Sequence, residues 1–489
     1  MYRNNPGVFR FSPIILCVTA FLISFFACRQ PEVDPPKALL PIPSEAQLNW
    51  HHMEMNAFIH FTTNTFTDKE WGYGDESPAV FNPTTIDAEQ WITTLKEAGF
   101  KGVILTTKHH DGFCLWPSQY TEHSVKNSPS KVDVVRLVSD ACKKHGLKFG
   151  VYLSPWDRNR ADYGTPAYVD YYRNQIKELF TNYGPVFEMW FDGANGGDGF
   201  YGGARETRKI DGATYYDWPR TLDMVRQMEP DVIFFSDAGP GVRWVGNEKG
   251  IAGETNWNTI TPDTLYAGKP GIEKLLNTGH ENGSHWIPAE VDVSIRPGWF
   301  YHAKEDSLVK TPDKLFDIYL TSVGRGSTLL LNVPPDRRGV LHGNDVAALR
   351  GFRQKLDSVF KKDLAQDADV TCSNVRGNAK KFDGKNLIDS DVNTFWSVDD
   401  NVHDPSVELK LAAPSEIRYV LLQEYIQLGQ RVKQFDVEVW VNNAWRLVAS
   451  GSTVGYKRIV AFEPVSTDRV RVSIKASRAC PVLSQVSVY

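Results

Sequence analysis

Between Trp50 and about Lys362, short apolar runs alternate with longer stretches whose apolar residues recur at helical spacing, and the order strand, loop, helix repeats along the chain. Ala57 to Phe61, Gly102 to Thr107, Lys148 to Leu153, Val186 to Phe191, Val232 to Ser236 and Thr328 to Val333 read as buried strands. Asp87 to Ala98, closed by Gly99, and Asp133 to His145, stopped by Gly146, read as helices. Tyr168 to Phe180, Trp218 to Met228 and Lys314 to Val323 supply further helices, whereas Ile251 to Arg296 is too loop-like to assign to an element. Strands separated by helical crossovers pair in parallel. The pattern therefore predicts an α/β fold, a (β/α) TIM-like barrel over residues 50–362 with an irregular later half. After Lys362 the helical period disappears. Ser406 to Leu411, Arg418 to Gln423, Gln434 to Val441 and Val470 to Ile474 alternate apolar and polar residues, which predicts an all-β sandwich over 366–489.

The first residues have a different pattern. Arg3 and Arg10 precede an apolar run from Pro13 to Phe26, and Ala27 stands before Cys28, the arrangement of an export signal over 1–28. The run is short for a membrane span. Ile23-Ser24-Phe25-Phe26-Ala27-Cys28 resembles a bacterial lipoprotein signal in which Cys28 becomes the acylated first residue. Residues 29–49, with Pro31, Pro35, Pro36, Pro41 and Pro43, read as a stiff tether. The expectation is an exported bacterial lipoprotein, periplasmic or held at the outer membrane, that meets the membrane only through an N-terminal lipid; plain secretion after cleavage is the alternative.

Composition narrows the partners. Lys+Arg 54 against Asp+Glu 59 leaves a net charge of -5, with no basic excess to bind nucleic acid. Aromatics make up 12% of the chain with 14 Trp, which suits flat ligand faces such as sugars as well as a large core. Cys372 and Cys480, near the two ends of the second unit, are open to a disulfide or to two free thiols. No CxxC or Cys/His ladder points to a metal, and nothing in the chain specifies an oligomeric state.

Active sites of such barrels form where strands emerge at their carboxyl ends. Those ends carry His60, His109 with His110, Tyr152 with Trp156, Trp190 with Asp192, and Asp237, a set suited to a hydroxylated ligand. Asp192, at the end of Val186 to Phe191 and followed by Gly193, is placed to act as a nucleophile or to cap a turn. The adjacent His109-His110-Asp111 invites a metal reading, but neighbouring strand residues face opposite ways and no HExxH or paired His-x-His accompanies them. Two carboxylates with separate roles account for the set better, as glycoside hydrolysis requires. The partner of Asp192 is Glu248, Glu254 or Glu290, and spacing does not choose among them.

Four motifs in order, Phe58-Ile59-His60-Phe61-Thr62-Thr63-Asn64-Thr65-Phe66 with Glu70-Trp71-Gly72, Thr107-Lys108-His109-His110-Asp111-Gly112-Phe113, Gly150-Val151-Tyr152-Leu153-Ser154 and Met189-Trp190-Phe191-Asp192-Gly193, resemble the α-L-fucosidases of glycoside hydrolase family 29. The resemblance implies that Asp192 is the nucleophile of a retaining mechanism and that His60, Glu70, Trp71, His109, His110, Tyr152 and Trp190 line the fucose pocket. Arg243-Trp244-Val245-Gly246-Asn247-Glu248 resembles the subfamily that prefers α-1,3- and α-1,4-linked fucose on branched glycans, which selects Glu248 as acid/base and adds Arg243 as a donor near Asp192. Gly196 to Tyr216 looks like an insertion between the two carboxylates. Leu387 to Trp396 resembles discoidin-type, galactose-binding-like modules, in which Asp389, Asp391 and Thr394 are candidate ligands of a structural calcium ion; no cofactor is implied for catalysis. The expected partners are fucosylated oligosaccharides. A non-catalytic glycan-binding barrel is the alternative.

Overall fold

The computed structural model describes residue 7 and residues 33–489. Apart from Gly7, the leader with Cys28 lies outside the described residues. Pro36 to Tyr489 pack as one unit. Eight parallel strands, β1 (Met55–Ile59), β2 (Gly102–Lys108), β3 (Lys148–Leu153), β4 (Glu188–Trp190), β5 (Ile233–Ser236), β6 (Val242–Trp244), β7 (Ala289–Ser294) and β8 (Thr328–Asn332), pair in sequence order and close when β8 pairs with β1. β6 and β7 lie in or near the loop-like stretch. β6 is only three residues long, and β7 carries Glu290 and Asp292 among its apolar positions, so neither shows the apolar run of a buried strand.

Helix α1 (Glu45–Met53) opens the unit, and α2 (Ala88–Glu97), α3 (Val134–His145), α4 (Pro166–Tyr183), α5 (Trp218–Met228), α6 (Glu273–Thr278), α7 (Pro312–Thr321) and α8 (Gly343–Phe360) follow. Asp87 and Asp133 cap α2 and α3, accepting from the backbone N–H groups of Gln90 and Arg136. Gly146 ends α3 at φ 74°, a conformation that favours a residue without Cβ. No helix follows β5, which reaches β6 through the short turn 237–241.

The Pro-rich stretch is not a tether along its whole length. Leu39 N–H donates to Leu428 O, and Ser44 and Gln47 form a capping box that starts α1. The Gln47 side chain then donates to the carbonyls of Gly241 and Trp286, and Trp50 Nε1 reaches Glu188 Oε2 at 3.1 Å, so α1 lies against the amino-terminal end of the strands. Burial of Trp50 and these fixed donors outweigh the chain stiffness that prolines confer, and the tether reading fails for 36–49.

The second unit is antiparallel: β9 (Asp369–Cys372), β10 (Trp396–Ser397), β11 (Ser406–Glu424), β12 (Val432–Val441), β13 (Ala444–Gly451), β14 (Arg458–Ser477) and β15 (Val482–Val488). Their order is β10-β15-β11-β14-β12-β13, with β9 on β11, and register shifts at 410–415 and 417–419 interrupt the long pairing of β11 with β14. Cys372 and Cys480 are both free, so the disulfide reading is not realised. In the Asp389 loop, Asp389 accepts from the N–H of Asp391 and from the Thr394 hydroxyl, which also donates to the Asp391 carbonyl. Among the described residues no group of three or more His, Cys, Asp or Glu side chains is placed to hold a metal ion.

Candidate active site

The carboxyl ends of the strands converge on one mouth. At the end of β4, Asp192 Oδ1 accepts from the N–H of Ala194 at 2.7 Å and Oδ2 from the Tyr152 hydroxyl at 3.0 Å. Burial raises its pKa above the usual aspartate value, and these two donors oppose that rise. His110 Nε2 lies 3.9 Å from Oδ2, too far for a hydrogen bond. The donors beside this carboxylate are therefore a tyrosine and a backbone amide, where Arg243 is the expected donor.

Arg243 is not in the mouth. Its side chain is fully buried and turned to the outside of the barrel wall, donating to the carbonyls of Leu276, Ile287 and Trp257 and to Asn256 Oδ1. Burial lowers its pKa to about 9, which leaves the guanidinium charged at neutral pH. On a parallel strand alternate residues face opposite ways, and Val242 and Trp244 take the inward positions, packing with the barrel interior.

His60, His109 and His110 sit together at the mouth. β2 ends at Lys108, so the two adjacent histidines are free of strand alternation, with ring centroids 4.1 Å apart. His60 Nδ1 pairs with Asn332 Oδ1 at 2.8 Å and His110 Nδ1 with Ser154 Oγ at 2.7 Å, whereas His109 Nδ1 is buried with no partner in the protein. Burial drives all three pKa values down, to about 3 for His60 and for His110, so these rings are neutral over the physiological range. Trp190 stacks on Phe235 at 3.8 Å and faces Tyr152 at 5.4 Å. Trp71, half exposed, meets His110 and Trp156 edge-on at 5.1 and 5.6 Å.

The three candidate partners of Asp192 separate cleanly. Glu248 stands at the open rim and accepts from Trp299 Nε1 at 3.3 Å. Its pKa is raised by desolvation and by the negative charges of Asp192 and Glu70, which places it in electrostatic reach of the first carboxylate. Glu254 is exposed and paired with Arg325 and Arg458, on the seam with the sandwich. Glu290 is sealed inside the barrel, accepting from Trp190 Nε1 at 3.0 Å and facing Glu188.

Sequence reasoning missed the loop after β7. Trp299, Phe300 and His302 come from it, and Glu70 accepts from the backbone N–H of Trp299 and Phe300 and from His302. Its signal was present only as an aromatic cluster, Trp299-Phe300-Tyr301-His302, with no strand recognised before it. The stretch that looks like an insertion forms a hairpin, Gly197–Gly199 paired with Glu206–Arg208, whose Tyr201 takes the Trp156 indole N–H at 3.0 Å. Asp237 closes behind Asp192 with its pKa pushed to about 6 by burial, and a Cβ on Gly193 would collide with its carboxylate.

Comparison with known proteins fits this geometry. Residues 40–357 match the α-L-fucosidase family and residues 369–484 the F5/8 type C domain, the discoidin-like class. A putative α-L-fucosidase 1 of Oryza sativa subsp. japonica is 41% identical, with 93% of this chain and 86% of that protein covered. A glycoside hydrolase 29 family member from an unknown rumen bacterium is 44% identical with a TM-score of 0.83, covering 93% of this chain and 78% of that one. A Ruminococcus gnavus family 29 fucosidase, solved in complex with fucose, is 32% identical with a TM-score of 0.84, covering 94% and 96% of the two chains. A barrel whose mouth gathers an aspartate, a rim glutamate and a ring of histidines and tryptophans, followed by a discoidin-like module, thus belongs to glycoside hydrolase family 29, and the chain is an α-L-fucosidase.

Proposed function

We propose that the protein is a retaining exo-fucosidase that removes α-1,3- and α-1,4-linked L-fucose from branched oligosaccharides or glycoconjugates. The observation that carries this reading is two carboxylates at one mouth in different settings: Asp192 held by the Tyr152 hydroxyl and the Ala194 N–H, and Glu248 at the rim beside the Trp299 indole N–H, its pKa raised by desolvation and then by the charge of Asp192. In the first step Asp192 Oδ attacks the anomeric carbon, the glycosidic C–O bond breaks, and Glu248 gives its proton to the departing oxygen. In the second step the Glu248 carboxylate takes a proton from water, the water oxygen bonds to the anomeric carbon, and Asp192 leaves as carboxylate. The neutral histidines bind hydroxyls without adding charge, and the unpartnered His109 Nδ1 is available to a sugar hydroxyl. Support for a branched acceptor comes from Trp71 and Tyr73, half-exposed flat faces at the edge of the mouth, beside the hairpin that holds Trp156.

The test is release of fucose from an aryl α-L-fucoside, a 2′-linked fucosyllactose and Lewis-type branched compounds, with the anomer of the first-formed sugar read by NMR. Release from the branched compounds with little from the 2′-linked one, as the α anomer, is expected; equal release sinks the linkage reading, and a β product sinks retention. Asp192→Asn is expected to lower kcat by roughly 10³-fold or more, the scale of losing a nucleophile. Near-normal turnover removes Asp192 from that role.

Export as a lipoprotein belongs to the same reading, supported by the Ala27-Cys28 motif ahead of a chain that pairs with the sandwich at Lys37 and Leu39. Cys28→Ala is expected to abolish labelling by palmitate in a bacterial host; retained label overturns it.

A further inference from the structure

His302 has no place in the steps above, yet it is tied to the mouth from two sides. Its Nδ1 lies 2.7 Å from Asp68 Oδ1 and its Nε2 lies 2.6 Å from Glu70 Oε1. Glu70 in turn accepts from the N–H of Trp299 at 2.8 Å and of Phe300 at 3.3 Å, so one carboxylate clamps the loop after β7 at three points. Gly298 allows the clamp to close: a Cβ there would stand 2.4 Å from Glu70 Oε1 and 3.0 Å from the His302 ring. What the clamp holds is Trp299, whose carbonyl takes the Asn332 amide at 2.8 Å and whose indole N–H points to Glu248 Oε2 at 3.3 Å.

We infer that His302 is a positioning residue for the general acid, fixing through Glu70 the loop that aims the Trp299 indole at Glu248. The inference rests on the reading of Glu248 as acid/base. An imidazole donates from both nitrogens at once only as the cation. Burial opposes that charge, but Asp68 and Glu70, with Glu305 nearby, outweigh it and raise the His302 pKa. Of the other charges at this corner, Lys304 and Arg337 bear on Asp68. Without the cation, one carboxylate of the pair loses its donor, and the Trp299 loop loses a fixed point. The consequence falls on proton delivery: Glu248 must present its proton along the line of the departing oxygen, and an indole N–H on one carboxylate oxygen selects which oxygen faces the substrate.

The experiment compares phenyl α-L-fucoside, whose leaving group needs protonation, with 2,4-dinitrophenyl α-L-fucoside, whose leaving group does not. It uses the intact protein as wild type, Glu248→Gln, His302→Phe and His302→Gln. In His302→Phe, kcat/KM on the phenyl substrate is expected to fall by about ten-fold or more while the dinitrophenyl value stays within about three-fold, a partial copy of the Glu248→Gln pattern. His302→Gln keeps one donor for Glu70 and is expected to recover part of the loss; it also serves if the Phe variant does not fold. Equal loss on both substrates, or no loss on either, overturns the positioning role. If Glu248→Gln itself shows no dependence on the leaving group, the acid/base reading fails first and this inference with it.

Discussion

Arg243 shows how a residue of the right type in the right motif can serve a different purpose. A guanidinium two strands from Asp192 looks like a substrate donor, but its nitrogens are spent on three backbone carbonyls and an asparagine, and its pKa of about 9 reflects burial without a carboxylate partner. Removing it leaves those acceptors buried and unpaired, at about 1–3 kcal/mol for each unsatisfied group that water cannot reach. Arg243→Met is therefore expected to lower the unfolding free energy by roughly 3–5 kcal/mol, with KM of the folded fraction near the wild-type value. Denaturant unfolding and steady-state kinetics on one preparation check this, and an unchanged midpoint with a raised KM would return Arg243 to the pocket. The same scale shows what sequence reveals. The positions of Asp192, His60, His109 and Tyr152 at the mouth were legible because each stands at or just past the end of a strand rich in apolar residues, whereas the inward or outward direction of Arg243 depends on the register of a three-residue strand.

At the scale of elements, β4 and β7 carry a feature that the pattern of apolar positions obscured. Glu188 and Glu290 face each other inside the barrel, capped by the Trp50 indole N–H on one side and the Trp190 indole N–H on the other. Burial pushes the Glu188 pKa to about 8 and raises that of Glu290, so the pair retains protons at neutral pH. A carboxyl whose folded pKa exceeds its unfolded value stabilises fully below the unfolded value of 4.5 and loses that contribution as pH rises through about 8. Glu188→Gln keeps the acceptor for Trp50 and removes one titration. Its unfolding free energy is expected to match wild type near pH 5 and to exceed it increasingly toward pH 9. Parallel urea titrations across that range check the sign, and a variant that loses ground as pH rises would show that the pair is not held protonated. These inward carboxyls also explain why β7 was illegible: a strand with acids at alternate positions reads as half-exposed, and only closure of the barrel hides both faces.

For the whole molecule the open question is whether the discoidin-like module is a passenger or part of the enzyme's fold. Tyr419, Leu421 and Ile459 of the module belong to the same buried cluster as the barrel helices, and Phe316, Phe360, Tyr419 and Tyr489 form one aromatic group across the seam. Polar contacts follow the same seam: Arg458 pairs with Glu254, Thr453 receives the Asn256 N–H, and Gln430 bridges Asn256 and Asn258. The Asn256 side chain also holds Arg243, so the module supports the wall that carries β6 and, beyond it, Glu248. Three buried side chains at about 1.5–3 kcal/mol each amount to much of the roughly 5–15 kcal/mol by which a domain is stable. Ending the chain at Asp363 is therefore expected to give a barrel that aggregates or melts at least about 10 °C lower, with activity lost in step with folding. A module attached only to bind glycan would behave differently: the truncated barrel would melt near the wild-type temperature and keep kcat on an aryl fucoside, losing only affinity for larger glycans. Thermal unfolding of the two chains, each followed by aryl fucoside turnover, separates these cases, because a support and a passenger differ in stability before they differ in binding.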